Sequence, residues 1–272
     1  MPSYVVTGVS RGIGWAFISV LSADPNNTVI GLVRDNKAVT EAKVSEELQG
    51  RTNIHILEGD LRDYSSLQNA AAETAKITGG SLDYLIANAG LMSLIERFVP
   101  IGVLGEQPKV LEAELLELFN VNVVGNIHLF NLFVPLLLKG QAKKVLAISS
   151  GHAAMDLMAK LSIAIQPLYT ISKAALNAAV AKFSAQYAKD GLLFMSVSPG
   201  MVETGFYDDI TDEQKQVLGN LAGSFIEYAP HFKGASTPET AVRDVLSVLN
   251  NSSVENGDGG SFVPHTGTDS WL

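Results

Sequence analysis

Tyr169 and Lys173, in the stretch Tyr169-Thr170-Ile171-Ser172-Lys173, stand four residues apart, a spacing that sets a phenol and an ammonium on one face of a helix. A cation there favours the phenolate and brings its proton into play near neutral pH. Taken alone, the spacing is better explained by an exposed amphipathic pair, so the weight comes from a second motif. Near the start, Thr7-Gly8-Val9-Ser10-Arg11-Gly12-Ile13-Gly14 follows an apolar run and opens a helical pattern. Gly8, Gly12 and Gly14 suit a sharp turn, a close phosphate approach and tight helix packing, because glycine has no Cβ. The backbone around Ser10, Arg11 and Ile13 would offer unpaired N–H groups to a pyrophosphate. The spacing is Gly-x-x-x-Gly-x-Gly rather than Gly-x-Gly-x-x-Gly. Pair and turn together point to redox chemistry on a bound dinucleotide.

Three strand ends refine that expectation. Arg34, closing Gly31-Leu32-Val33-Arg34, suits a ribose 2′-phosphate, and Arg11 adds a second cation, so NADP(H) is favoured as cofactor. Asp35 competes, since a carboxylate at the same end would take a ribose hydroxyl and favour NAD. Asp60, followed by Leu61, can accept from an adenine amino group or cap a helix. Asn88-Ala89-Gly90 closes a further run, where Asn88 can tie strands and Gly90 leaves room for a ribose.

The remaining sequence must position these groups. Short apolar runs at 4–7, 28–33, 53–57, 82–87, 144–149 and 193–198, with a weaker one at 261–263, lack polar alternation, which marks strands covered on both faces. Helical patterns fall at 12–23, 65–78, 111–138, 169–189 and 238–249. The expected fold is α/β: a Rossmann-type, doubly wound sheet of about seven mostly parallel strands with helices on both faces. No linker divides the chain, so 1–272 reads as one dinucleotide-binding domain, with irregular substrate loops at about 91–108, 152–166 and 203–236. The alanines of the 169–189 helix permit close packing, against a second subunit or against the sheet.

Composition narrows the class. With 47% hydrophobic residues among 272, a well-filled core is expected, and no unbroken apolar run is long enough to span a membrane. A net charge of −9 argues against nucleic acid as partner. The chain has no cysteine, its five histidines are scattered, and no metal is assigned. No secretory leader is evident, and the cytoplasm is the expected location.

In this order the motifs resemble the short-chain dehydrogenase/reductase family over essentially the whole chain. Asn88-Ala89-Gly90 is similar to the family's Asn-Asn-Ala-Gly, with Ala87 in place of the first asparagine. Asn122 of Val121-Asn122-Val123-Val124-Gly125 and Ser150 of Ile148-Ser149-Ser150 match the other two members of the family's catalytic tetrad, although Ser149 could replace Ser150 if the strand ends early. Pro199-Gly200-Met201-Val202-Glu203-Thr204 is similar to the segment in which Val202 and Thr204 would hold the nicotinamide carboxamide.

The resemblance implies that Tyr169 donates a proton to a carbonyl oxygen. Lys173 would lower its pKa and bind the ribose, Ser150 would orient the substrate, and Asn122 would hold a relaying water. The step from Ser150 to Tyr169 is longer than the family's, so 152–166 contains an insertion, an apolar wall over the substrate or a flap on a neighbouring subunit. The C-terminal part, with Trp271-Leu272, is similar to small carbonyl reductases and fungal-type ketoreductases. Together these imply NADPH-dependent reduction of a largely apolar ketone or aldehyde by a homodimer or homotetramer. An NAD-dependent alcohol dehydrogenase and a non-catalytic cofactor sensor remain the alternatives.

Overall fold

Seven strands form one sheet in the order β3-β2-β1-β4-β5-β6-β7 in the computed structural model, which describes residues 1–268, 270 and 271. They are β1 (Ser3–Thr7), β2 (Thr28–Val33), β3 (Ile54–Glu58), β4 (Tyr84–Ala87), β5 (Lys144–Ile148), β6 (Leu193–Ser198) and β7 (Phe262–Pro264), and every neighbouring pair is parallel. Parallel strands need crossover connections, and here helices supply them on both faces. The order reverses between β1 and β4, so their carboxyl ends open a crevice over which the helices diverge.

One face is covered by α3 (Tyr64–Thr78), α6 (Gly125–Leu137) and α8 (Pro167–Tyr187), whose Leu67, Leu129, Phe130, Phe133, Leu176 and Val180 are buried together. The other carries α1 (Gly12–Leu21) and α10 (Pro238–Asn251), through Phe17, Ile18, Val242, Val245 and Leu249. Phe130 meets Phe183 and Phe194 edge-on at 5.3 and 5.5 Å between centroids. A ring buried in this way stabilises the fold by roughly 2–3 kcal/mol. Local chemistry sets several boundaries: Asp63 accepts the Ser65 N–H to start α3 and Gly79, at φ 70°, ends it.

The sheet is as expected, while several helices differ from the sequence expectation. The apolar 111–138 pattern is two helices, α5 (Pro108–Phe119) and α6, joined by a π-turn at Asn120–Val124. Pro108–Leu137 is long and apolar enough by composition to cross a membrane, but 61% of its most apolar window is buried against the rest of the protein.

The three segments expected to be irregular each hold a helix: α4 (Ile101–Leu104), α7 (Met155–Leu161) and α9 (Asp212–Tyr228). A further surface helix, α2 (Lys37–Glu47), was not anticipated, and only Thr40 in it is buried. On α8, Ala178 and Ala181 face outward while Leu176 and Val180 pack on the sheet.

Candidate active site

At the reversal point β1 runs into the glycine turn and β4 into Asn88. The Asn88 side chain donates to the carbonyls of Thr7 at 2.9 Å and Gly8 at 3.3 Å, and the Thr7 hydroxyl accepts the N–H groups of Asn88 and Ala89. The two strand ends are thereby tied, as expected for Asn88. Gly8 lies at φ 73°, and a Cβ on Gly14 would sit 2.1 Å from the Gly8 oxygen, so α1 packs directly on the turn. Arg11, the N-cap of α1, provides no side-chain cap, so the first-turn N–H groups have no side-chain acceptor from it. Its guanidinium reaches the Thr204 carbonyl at 3.4 Å, and the Thr204 methyl lies 3.6 Å from the Cβ position of Gly12. The Gly-rich turn and Pro199–Thr204 therefore face each other.

Arg34 and Asp35 emerge together at the end of β2, paired at 3.1 Å and both well exposed. Asp60 does not cap α3, a role taken by Asp63; its carboxylate accepts the Arg62 N–H at 2.9 Å. Leu61 is buried beneath Gly125.

Across the crevice, α8 brings Tyr169 and Lys173 to the end of β5. Both are buried, and the Lys173 ammonium donates to the Ile148 carbonyl at 2.8 Å, beside Gly90. Asn122, at the π-turn, is spent on the protein. Its amide donates to the Leu91 carbonyl and the Ser172 hydroxyl, both at 2.9 Å, and its oxygen accepts the Leu91 N–H at 2.7 Å. The π-turn thus locks the Asn88–Leu91 strand end to the helix of Tyr169. Both serines at the end of β5 line the cleft: Ser149 N–H continues the ladder to Val197, while the Ser150 hydroxyl lies close enough to the Tyr169 phenol to favour its ionised form.

Electrostatics depart from what spacing suggests. Burial pushes the Tyr169 pKa up, against the Ser150 hydrogen bond, with Tyr207 and Glu96 adding in the same direction. Burial also lowers Lys173 to about 8. Lys173 Nζ lies 5.8 Å from the Tyr169 ring centre, and burial nonetheless dominates the phenol's titration. The protonated phenol, the form able to donate, is the stable one.

A cleft of about 180 Å³ opens above these groups. Ser150, Tyr169, the Pro199–Val202 stretch and Thr204 line its floor, with Ile13 and Met92 beside them. Leu157 and Ile163 come from the insertion, Leu218, Leu221 and Phe225 from α9, and Trp271 from the C-terminal segment. The insertion is thus in part the expected apolar wall, though Met155 points to solvent. Trp271, whose ring lies 4.7 Å from that of Phe262, lines the cleft; Leu272 lies outside the described residues.

Spacing gave no hint of Glu96, Gln166, Phe206 and Tyr207, all at or beside the cleft. His152 was also missed as a site residue: it lines the cleft with a buried, unpaired Nδ1, and burial lowers its pKa to about 4. Because the folded state resists a proton that the unfolded chain takes up near pH 6.5, His152 stabilises above that pH and loses its contribution as pH falls towards 4. At pH 4.5 the loss amounts to on the order of 2 kcal/mol. Urea titrations at pH 7 and 4.5 should show this acid sensitivity reduced in His152→Asn; an equal drop in both proteins would contradict it.

The family model described as short chain dehydrogenase matches residues 3–215. The chain belongs to the short-chain dehydrogenase family. Short chain dehydrogenase virK of Hypocrea virens is 54% identical over 272 residues, covering all of both chains. Short-chain dehydrogenase/reductase iacC of Pestalotiopsis fici is 54% identical over 273 residues, again with full coverage of both. Among solved structures, an NADPH-bound carbonyl reductase from chicken fatty liver shares the fold, with a TM-score of 0.76 at 24% identity, covering 100% of this chain and 99% of that one. As a short-chain dehydrogenase, the chain is an oxidoreductase of a family that works with a nicotinamide cofactor on small molecules. Its Gly-rich turn and its Tyr169–Lys173 pair lie inside the matched region.

Proposed function

We propose that this oxidoreductase reduces a largely apolar ketone or aldehyde to the alcohol with NADPH. The observation that carries the reading is the placement of the protonated Tyr169 phenol and the Ser150 hydroxyl together in the floor of an apolar-walled cleft facing the glycine turn. The uncapped start of α1 fits a pyrophosphate, held by Gly8, Ser10, Arg11, Gly12 and Ile13. Arg34 fits a 2′-phosphate, Asp60 and Leu61 the adenine, Asn88–Gly90 and Lys173 the ribose, and Val202 and Thr204 the carboxamide. The bound cofactor supplies a hydride to the carbonyl carbon. Tyr169 gives its proton to the carbonyl oxygen, and Ser150 donates a hydrogen bond to that oxygen as its charge grows. Asn122 keeps α8 and the β4 end in register. We extend the proposal to a cytoplasmic homodimer or homotetramer, which the exposed Leu116 and Phe119 on α5 support.

Asp35 favours a second reading, NAD-dependent alcohol oxidation, because its carboxylate stands beside Arg34 at the strand end and already engages it. Fluorescence titrations with both reduced cofactors decide between them. Arg34→Ala should weaken NADPH binding about tenfold and leave NADH unchanged; tighter NADH binding by the unaltered protein would favour the second reading. A panel of aromatic ketones, diketones and quinones, followed by NADPH absorbance, tests the reaction itself. No oxidation by any of them, with cofactor bound, would favour a non-catalytic sensor.

A further inference from the structure

Glu96 is wholly buried, and its carboxylate faces the start of the helix that carries Tyr169. That helix begins with Pro167, which has no N–H, and the side chain of its N-cap residue, Gln166, caps nothing. Thr170 N–H reaches the Gln166 carbonyl at 3.0 Å. The two remaining first-turn donors both go to Glu96: Leu168 N–H to Oε2, and Tyr169 N–H to Oε1 at 2.7 Å. A residue 73 positions upstream therefore caps α8 on the backbone of Tyr169 itself, with its negative charge at the positive end of the helix dipole.

The next residue points the other way. Arg97 donates from Nη1 to the Phe206 carbonyl and from Nη2 to the Asp209 carbonyl at 3.0 Å. Its guanidinium lies 5.4 Å from the ring centres of both Phe98 and Phe206. The Phe98 and Tyr207 rings are 5.9 Å apart, and Gln166 Nε2 donates to the Tyr207 hydroxyl at 3.0 Å. Segment 96–98, loop 206–209 and the helix start thus close a ring of contacts, and Gln166, Tyr169, Phe206 and Tyr207 from it line the cleft. Gln166 takes its place at φ 56°, a conformation that a residue with a side chain adopts only when its surroundings hold it.

We infer that Glu96 and Arg97 act as a back-to-back pair of positioning residues: Glu96 sets where the Tyr169 phenol stands, Arg97 sets the Phe206–Tyr207 wall opposite, and together they fix the gap that admits the carbonyl. The kinetic consequence rests on the proposed carbonyl reduction; the structural one does not. Glu96→Gln keeps the size but presents one acceptor to two N–H groups. Arg97→Lys keeps the charge but loses the planar fork.

Amide exchange at Leu168 and Tyr169 should speed up about tenfold in Glu96→Gln and stay unchanged in Arg97→Lys. With a ketone accepted by the wild type, Glu96→Gln should lower kcat about tenfold or more at an almost unchanged KM, whereas Arg97→Lys should raise KM about tenfold at an almost unchanged kcat. Glu96→Asp, one methylene shorter with its charge retained, should fall between wild type and Glu96→Gln, and keeps the test available if the glutamine variant folds poorly. Val245→Ala, a core destabilisation far from the cleft, should leave both constants in place.

Unchanged exchange at Leu168 and Tyr169 in both Glu96 variants overturns the assignment. So does an identical kinetic change in the Glu96 and Arg97 variants that Val245→Ala also produces. A wild type that reduces no carbonyl defeats the proposed reaction instead, and leaves the exchange result as the judge of the clamp.

Discussion

Tyr169→Phe should reduce carbonyl turnover by about a thousandfold while NADPH affinity stays within about twofold. Phenylalanine fills nearly the same volume in a site where Tyr169 is only 8% exposed, so α8 keeps its packing. Its start is also secure, because Glu96 accepts from the backbone N–H of residue 169 and not from the phenol. What disappears is the protonated hydroxyl next to Ser150. Ser150 would still stabilise charge on the oxygen, but without a positioned acid the proton must come from water. Stopped-flow absorbance at saturating ketone measures the rate, and fluorescence titration measures cofactor binding. Turnover within about tenfold of wild type would remove Tyr169 from the donor role.

Gly14→Ala should cost about 3 kcal/mol of stability, roughly 10 °C in Tm, and cut cofactor affinity about a hundredfold. The added carbon would lie 2.1 Å from the Gly8 oxygen and 2.7 Å from the Asn88 side-chain nitrogen. Backbone cannot swing aside as a flexible side chain can, so either α1 or the turn must move. Both are parts of the proposed pyrophosphate site, and the Asn88 bonds joining β1 to β4 would stretch with them. Gly219 supplies the contrast: it lies inside α9 with nothing within 4 Å of its Cβ position, and Gly219→Ala should be neutral or slightly stabilising. Calorimetry on both variants, with a cofactor titration, checks the pair; equal Tm values would contradict the close-packed turn.

The strands were legible because parallel strands buried on both faces leave unbroken apolar runs, and Leu193–Ser198 is buried at every position. The Tyr169 helix and the glycine turn were legible because their chemistry is local in sequence. Surface helices were not, since their stability owes little to apolar periodicity. In α2 only Thr40 is buried and in α9 only Phe225. A signal for α9 was present in Thr211-x-x-Gln214, which forms a reciprocal capping box.

The break at Asn120–Val124 hides inside an otherwise regular apolar pattern, because a π-turn changes hydrogen bonding and not composition. Glu96 had no local signature at all: its partners, Leu168 and Tyr169, come from more than seventy residues further on. The sign of the Tyr169 shift was missed for a related reason. Spacing reveals the nearby cation but not the depth of burial that overrides it.

The roof of the cleft has a different standing in the chain from its floor. Ser150, Tyr169, Lys173 and the glycine turn lie within the stretch shared with the family at large, residues 3–215. Leu218, Leu221, Phe225 and Trp271 lie beyond it. They reach the insertion helix through α9, where Lys160 Nζ sits 4.6 Å from the centre of the Tyr228 ring. The apolar lining that α9 and the C-terminal segment supply is therefore separable along the polypeptide from the Tyr169–Lys173 pair and the glycine turn. Grafting the roof of one relative onto the floor of another is the laboratory version of that separation.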